Sequence, residues 1–286
     1  MSSLLVRPPV PAAPPMGAPP ALPVRGSLAA AYRLSLAAAV LLAVTSACGL
    51  LWGTRGLYQA DPVLLPQLIG QDALGLAMAL PLLLVSMRLA RRGSLAGLLL
   101  WPGALFYLAY WYYFYVAGVR FGPLFLVHVA LVATSGAALL ALLAQLECDA
   151  IPRRFSPGFP AGLVGGFMAA TGVLFSLLWI ADVVGRLRAG TPLDPVSRTV
   201  YAIDLVVALP AVAAVGVALA RGRAWGYALA GMLLVKVAAG MLTLLSTAAF
   251  TAWWGQPVEP FLVVAFGSTF AAALACTVAY LRAIRG

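Results

Sequence analysis

Eight apolar stretches, each long enough to cross a bilayer and set apart by short basic runs, leave this chain few ways to fold. A helix rises 1.5 Å per residue, so about 20 residues span the hydrocarbon. The stretches run at about 31–53, 66–90, 95–117, 122–146, 161–184, 198–220, 224–249 and 260–282. Backbone polar groups in lipid must find partners inside the chain, which helices provide within each stretch. The alternating segments of a membrane β-barrel are absent. Composition agrees: 63% of the 286 residues are hydrophobic and 9% are charged, whereas soluble domains carry roughly a quarter charged residues. The predicted fold is an all-α integral membrane protein with eight transmembrane helices.

The net charge of +10 does not indicate a nucleic-acid binder. The arginines lie between apolar stretches, where they report orientation instead. Arg7, Arg25, Arg33, Arg88, Arg91, Arg92, Arg153, Arg154, Arg221, Arg223, Arg282 and Arg285 fall on one side; Arg55, Arg120, Arg186, Arg188 and Arg198 fall on the other. Twelve against five predicts both termini in the cytoplasm, in a bacterial-type plasma membrane. Trp52, the Tyr112–Tyr115 run, Trp179 and Trp253–Trp254 then read as an outer aromatic belt. Residues 1–26 hold eight prolines among small residues and read as a disordered tail, with residues 27–286 forming the transmembrane domain.

Short matches recur in order along the chain. Leu50-Leu51-Trp52 matches Leu177-Leu178-Trp179, and Asp61-Pro62-Val63 matches Asp194-Pro195-Val196. Ala79-Leu80-Pro81 matches Ala208-Leu209-Pro210, and Arg92-Gly93 matches Arg221-Gly222, with offsets of 127 to 133. The pattern predicts two tandem parallel four-helix repeats, at about 31–146 and 161–282, related by an axis along the membrane normal. Each Asp-Pro pair is suited to start a helix, because Asp caps and Pro is pre-shaped for the first turn. Pro81 and Pro210 fall mid-span, where each removes a backbone hydrogen bond and kinks its helix.

Ionisable residues inside spans cost about 2.5–3.5 kcal/mol each on insertion scales, so they mark candidate sites. Asp72 and Asp204 occupy similar depths in the two halves, about 15 Å along from their Asp-Pro starts. A break at Pro66 and Gly70 would instead make Asp72 the cap of a restarted helix. Lys236, the one lysine of the chain, lies roughly 18 Å from the inner end of its span, too deep to reach either surface easily. It is expected to face the bundle and pair with a carboxylate such as Asp204. Tyr107, Tyr110 and Trp111 begin deep enough to line an interior, and the Pro81/Pro210 register carries Tyr107 onto Lys236. Asp182 lies near an outer end, where interface exposure competes with a binding role. His128 reads as a hydrogen-bonded core residue, and Cys48 and Cys276 as small apolar side chains.

Several chemistries are excluded. A Schiff-base lysine lacks a carboxylate one turn earlier, where Met232 stands. Hydrolytic triads lack a placed histidine, and zinc lacks ligands. Gly162-Leu163-Val164-Gly165-Gly166 reads as a helix-packing surface rather than a phosphate loop. No cofactor is implied. The expected function is a transporter or permease-like protein binding a small organic or ionic substrate through Asp72, Asp204, Lys236, Tyr107, Tyr110 and Asp182. A non-catalytic subunit of a larger membrane complex and a lipid-directed enzyme are the alternatives. Expected partners are membrane lipids, the substrate, and a membrane protein or a second copy of the chain. A donor pair at Tyr107 and Lys236 suits an anionic guest, whereas the aspartates and aromatic faces suit an organic cation.

Overall fold

The computed structural model describes residues 22–58 and 62–285. Most of the proline-rich segment and the Asp61 of the first Asp-Pro pair lie outside them. Among the described residues there is no strand, and eight helices are long and apolar enough to cross a membrane. They are α1 (Ala29–Arg55), α2 (Leu65–Arg91), α3 (Leu95–Ala117), α4 (Phe125–Leu143), α5 (Ala161–Ala189), α6 (Pro195–Ala220), α7 (Ala224–Trp253) and α8 (Pro260–Arg282). The largest departure from the expected spans is at the ends of α5 and α7, which each run several residues further.

α3 and α7 form the centre, packing on each other and burying most of their lengths. α2 also packs on α7, and α6 reaches α3, so the two ends of the chain interlock rather than lie side by side. α1 packs closely on α4, whereas α5 and α8 scarcely touch. Small residues allow the tightest approaches. A Cβ on Gly103 would lie 2.7 Å from Val235 Cβ and 2.8 Å from the Met232 carbonyl, so α3 crosses α7 at this glycine. Gly165 of α5 and Gly216 of α6 meet backbone to backbone. By contrast, added Cβ atoms on Gly162 and Gly166 would meet nothing within 4 Å, so only Gly165 of that glycine run packs against a helix.

α2 and α6 share an irregularity. Each is α-helical at its start, passes through a π-helical turn at Gly75–Ala79 or Asp204–Ala208, and resumes as α-helix with Pro81 or Pro210 in its second position. Proline lacks an N–H and its ring crowds the preceding turn; a wide π turn just before it accommodates both defects. The prolines are thus absorbed by a change of helix type. The turns that follow also agree. Gly93 N–H donates to Ala90 O at 3.0 Å and Ser94 N–H to Leu89 O at 3.0 Å. Gly222 N–H donates to Leu219 O and Arg223 N–H to Ala218 O, both at 2.9 Å. Gly93 and Gly222 have φ of 83° and 70°, left-handed values that favour glycine.

Helix starts differ between α2 and α6. Asp194 caps α6 by accepting from Ser197 N–H at 2.9 Å, with Pro195 in the first position. α2 begins at Leu65-Pro66 instead, and Gly70 does not interrupt it. Burial pushes the Asp194 carboxyl up, but hydrogen bonds from Ser197 and Val196 outweigh it and hold the group below its ordinary value. Asp194→Ala should cost about 1 kcal/mol of stability. The loss should be full at pH 6 and fade as pH falls through the native carboxyl's depressed pKa, where protonation already removes the cap's charge. Thermal unfolding of both proteins from pH 6 to pH 3 measures it; a gap unchanged over that range would contradict the capping role.

The ends of the helical bundle are tied together at one face. Val24 bridges Leu146, and Phe155 bridges Ile284. Arg25 N–H donates to Gln145 O at 2.8 Å and Arg285 N–H to Arg154 O at 2.7 Å. The segments flanking α1 and α8 therefore both pack on the connection between α4 and α5.

Candidate functional site

Asp204 opens the π turn of α6, and that turn aims its carboxylate at the bundle interior, where it is 6% exposed. Three helices supply donors to it. Tyr110 of α3 donates its hydroxyl to Oδ1 at 2.8 Å, and Trp179 of α5 donates Nε1–H to Oδ2 at 2.9 Å. Lys236 of α7 brings its Nζ to 3.7 Å from Oδ1. The same Nζ stands 4.0 Å from the centre of the Tyr110 ring, whose π face attracts a cation. Lys236 is 8% exposed. Both oxygens of the acid are thus occupied, while the ammonium holds one ion pair too long for a good hydrogen bond. Because it has three N–H groups, most of its donor capacity is unspent.

These side chains form part of the wall of a cavity of about 150 Å³ between α2, α3, α5, α6, α7 and α8. At about 30 Å³ per water in the liquid, this is room for roughly five waters or one small ring. Two further wall residues carry buried nitrogens without a hydrogen-bond partner among the described residues, Gln71 Nε2 and Trp111 Nε1. Most of the remaining surface is apolar, including Phe114, Phe175, Met241 and Phe266.

Of the six expected site residues, the structure brings Asp204, Lys236 and Tyr110 together and keeps the others apart. Tyr107 is buried beside the cavity rather than on it, with its hydroxyl 2.7 Å from Thr243 Oγ1. Asp182 does not line it either; Asp182 accepts from Arg186 Nε at 2.8 Å and from Tyr201 OH at 3.0 Å, half exposed near the end of α5. That geometry is an i,i+4 ion pair along α5, partly open to the surroundings.

Asp72 occupies a separate chamber between α1, α2 and α3 and is fully buried. Its Oδ2 accepts from Tyr58 OH at 2.6 Å, while Oδ1 has no hydrogen-bond partner among the described residues. Burial raises the Tyr58 phenol far above its ordinary pKa, and the neighbouring carboxylate raises it further, so this hydroxyl stays a donor. Gly49 makes the chamber possible: a Cβ there would collide with the Asp72 carboxylate and the Tyr58 hydroxyl. Nearby, Ser46 and Tyr112 share a 3.0 Å hydrogen bond, and His128 Nε2 lies 2.7 Å from Thr45 Oγ1. His128 is the bonded core residue expected of it. In the register fixed by Pro81 and Pro210, the position matching Asp204 is Gly75, and Asp72 matches Tyr201. The two acids are therefore offset by one helical turn, not equivalent.

Sequence reasoning missed Trp179 and Gln71. Trp179 sits where a belt residue would, yet its indole turns inward to Asp204 and stacks on Tyr201 at 4.6 Å. Of the Tyr112–Tyr115 run, only Tyr113 is exposed. No protein-family model matches the chain, and no curated protein or solved structure is found to be similar to it.

Proposed function

We propose that this chain is a membrane transporter or permease whose substrate binds in the cavity beside Asp204 and Lys236. The observation that carries the reading is a charged pair buried in a cavity shared by six of the eight helices. Ions held inside a bundle are expensive and are retained where they serve a pathway. A subunit that uses its charges to recruit another chain would turn them to the lipid, whereas this pair faces inward. The matching π turns and the matching hairpins after α2 and α6 support descent from two tandem four-helix halves, with the cavity where the halves interlock. The arginine asymmetry supports cytoplasmic termini in a bacterial-type plasma membrane, and the tied basic face would be the inner one. The π turns before Pro81 and Pro210 are the natural places for the two helices to flex.

Transport requires the cavity to open to each side in turn. Gly240 is a suitable reporter, since it lines the cavity and an added Cβ would meet only Trp111 Nε1, at 3.8 Å. In a background of Cys48→Ala, Cys148→Ser and Cys276→Ala, Gly240→Cys should react with a membrane-impermeant thiol reagent in right-side-out and in inside-out vesicles. Reaction from a single side in both preparations would reduce the cavity to a dead-end pocket and rule out transport.

A further inference from the structure

We infer that the cavity takes a small monocarboxylate, whose charged end engages Lys236 and the Trp111 indole N–H and whose apolar body lies against Phe114, Phe175 and Phe266. The inference rests on the proposed binding role of this cavity and names the chemistry of its guest. The unspent hydrogen-bonding capacity decides the sign of the guest's charge. An organic cation would find the Asp204 carboxylate already engaged by Tyr110 on one oxygen and Trp179 on the other. It would also meet the Lys236 ammonium at close range.

An anion meets the opposite situation. Lys236 has no hydrogen bond shorter than its 3.7 Å ion pair and points into the cavity wall. Trp111 Nε1, which can only donate, is buried with no acceptor among the described residues. The two groups are neighbours: Gly240 lies one helical turn beyond Lys236 on the same face of α7, opposite the Trp111 nitrogen. Because Gly240 has no side chain, the indole N–H is left facing bare backbone rather than a polar partner. The Gln71 amide can present either end and adds a third polar contact. A buried donor without a partner destabilises the fold, so an incoming acceptor is favoured there. The Lys236–Asp204 pair is itself neutral, so every further charge on the guest lacks a counter-ion, which favours a monoanion over a dianion. The size and the aromatic wall set the body at about the bulk of a single ring.

The test uses the full chain in nanodiscs and radiolabelled benzoate, with benzylammonium as the cation of equal shape. Benzoate should bind saturably and benzylammonium should not. Lys236→Met should abolish benzoate binding. Trp111→Phe and Gln71→Leu should each weaken it roughly tenfold, the loss of one charge-assisted hydrogen bond. Gln71→Leu, which nearly keeps the volume, should leave the thermal midpoint of the ligand-free protein unchanged or higher, because its amide nitrogen has no partner to lose among the described residues. Trp111→Phe and Gln71→Leu keep the test decisive even if Lys236→Met does not fold. Benzylammonium binding as tightly as benzoate, absence of saturable benzoate binding, or benzoate binding indifferent to Trp111→Phe and Gln71→Leu would each overturn the inference. Benzoate binding together with one-sided Gly240→Cys labelling would remove transport and leave the guest chemistry standing.

Discussion

Asp204→Ala should destabilise the folded protein by about 3–5 kcal/mol, more than the double variant Asp204→Asn/Lys236→Met. The reasoning starts from depth. Lys236 is too far from either surface to extend its ammonium into water, so loss of the carboxylate strands a charge in an apolar interior. The Tyr110 hydroxyl and the Trp179 indole lose their acceptor at the same time. Lys236→Met alone should cost less, since Asp204 keeps two hydrogen bonds and loses only a long 3.7 Å pairing. Removing both charges leaves an amide for the two donors and no ion, so a cycle of wild type, Asp204→Asn, Lys236→Met and the double variant should show coupling between positions 204 and 236. Thermal unfolding of the four proteins in one detergent measures it. Single variants that each match the wild type would mean that the pair is solvated, and the site proposal would go with it.

The second large effect concerns helix packing rather than charge. Gly165→Leu and Gly216→Leu should each prevent α5 and α6 from closing on each other. A Cβ on Gly165 would collide with the Gly216 carbonyl and lie 2.7 Å from Ala220 N; one on Gly216 would lie 2.6 Å from Gly165 O and Ala169 N. These are backbone atoms, which cannot step aside as a side-chain tip can. Lipid tails are as apolar as leucine, so close backbone approach is a main source of helix adhesion in a bilayer. Each substitution should cost at least about 1–3 kcal/mol, the usual range for overpacking. Gly162→Leu and Gly166→Leu, whose added side chains meet open space, should unfold at the wild-type midpoint. Because leucine favours the helix more than glycine does, equal losses at Gly165 and Gly166 would show that the cost does not come from contact with α6.

The spans were legible because length and apolarity alone decide them, and bilayer thickness sets the length. The depth of Lys236 and its pairing with Asp204 were legible for the same reason, since counting residues along a span measures distance from water. Which face each helix turns inward was not. In soluble helices a polar stripe marks the outside, but here lipid and core are equally apolar and the periodic signal vanishes. Trp179 shows the effect: beside Leu177 and Leu178 it looks like an interfacial anchor, and only coordinates reveal that it points at Asp204. Tyr107 shows it in reverse. It is buried in the interior as its depth predicts, yet its hydroxyl is spent on Thr243 and the cavity passes it by. Asp72 was misjudged because counting from Asp61 assumes an unbroken helix, whereas α2 begins only at Leu65.

A π turn is an α-helical turn carrying one supernumerary residue, and α6 holds such a turn from Asp204 to Ala208. Each residue of an α-helix advances the facing direction by about 100°. Deleting a single residue there would restore a regular spiral and rotate everything before it by about that angle relative to everything after it. Asp204 would then swing off the cavity while Val212 and Gly216 kept their contacts. The orientation of the acid is therefore set by a one-residue insertion, and losing that residue would also turn Val196 and Val200 from the cavity wall and part Tyr201 from Trp179.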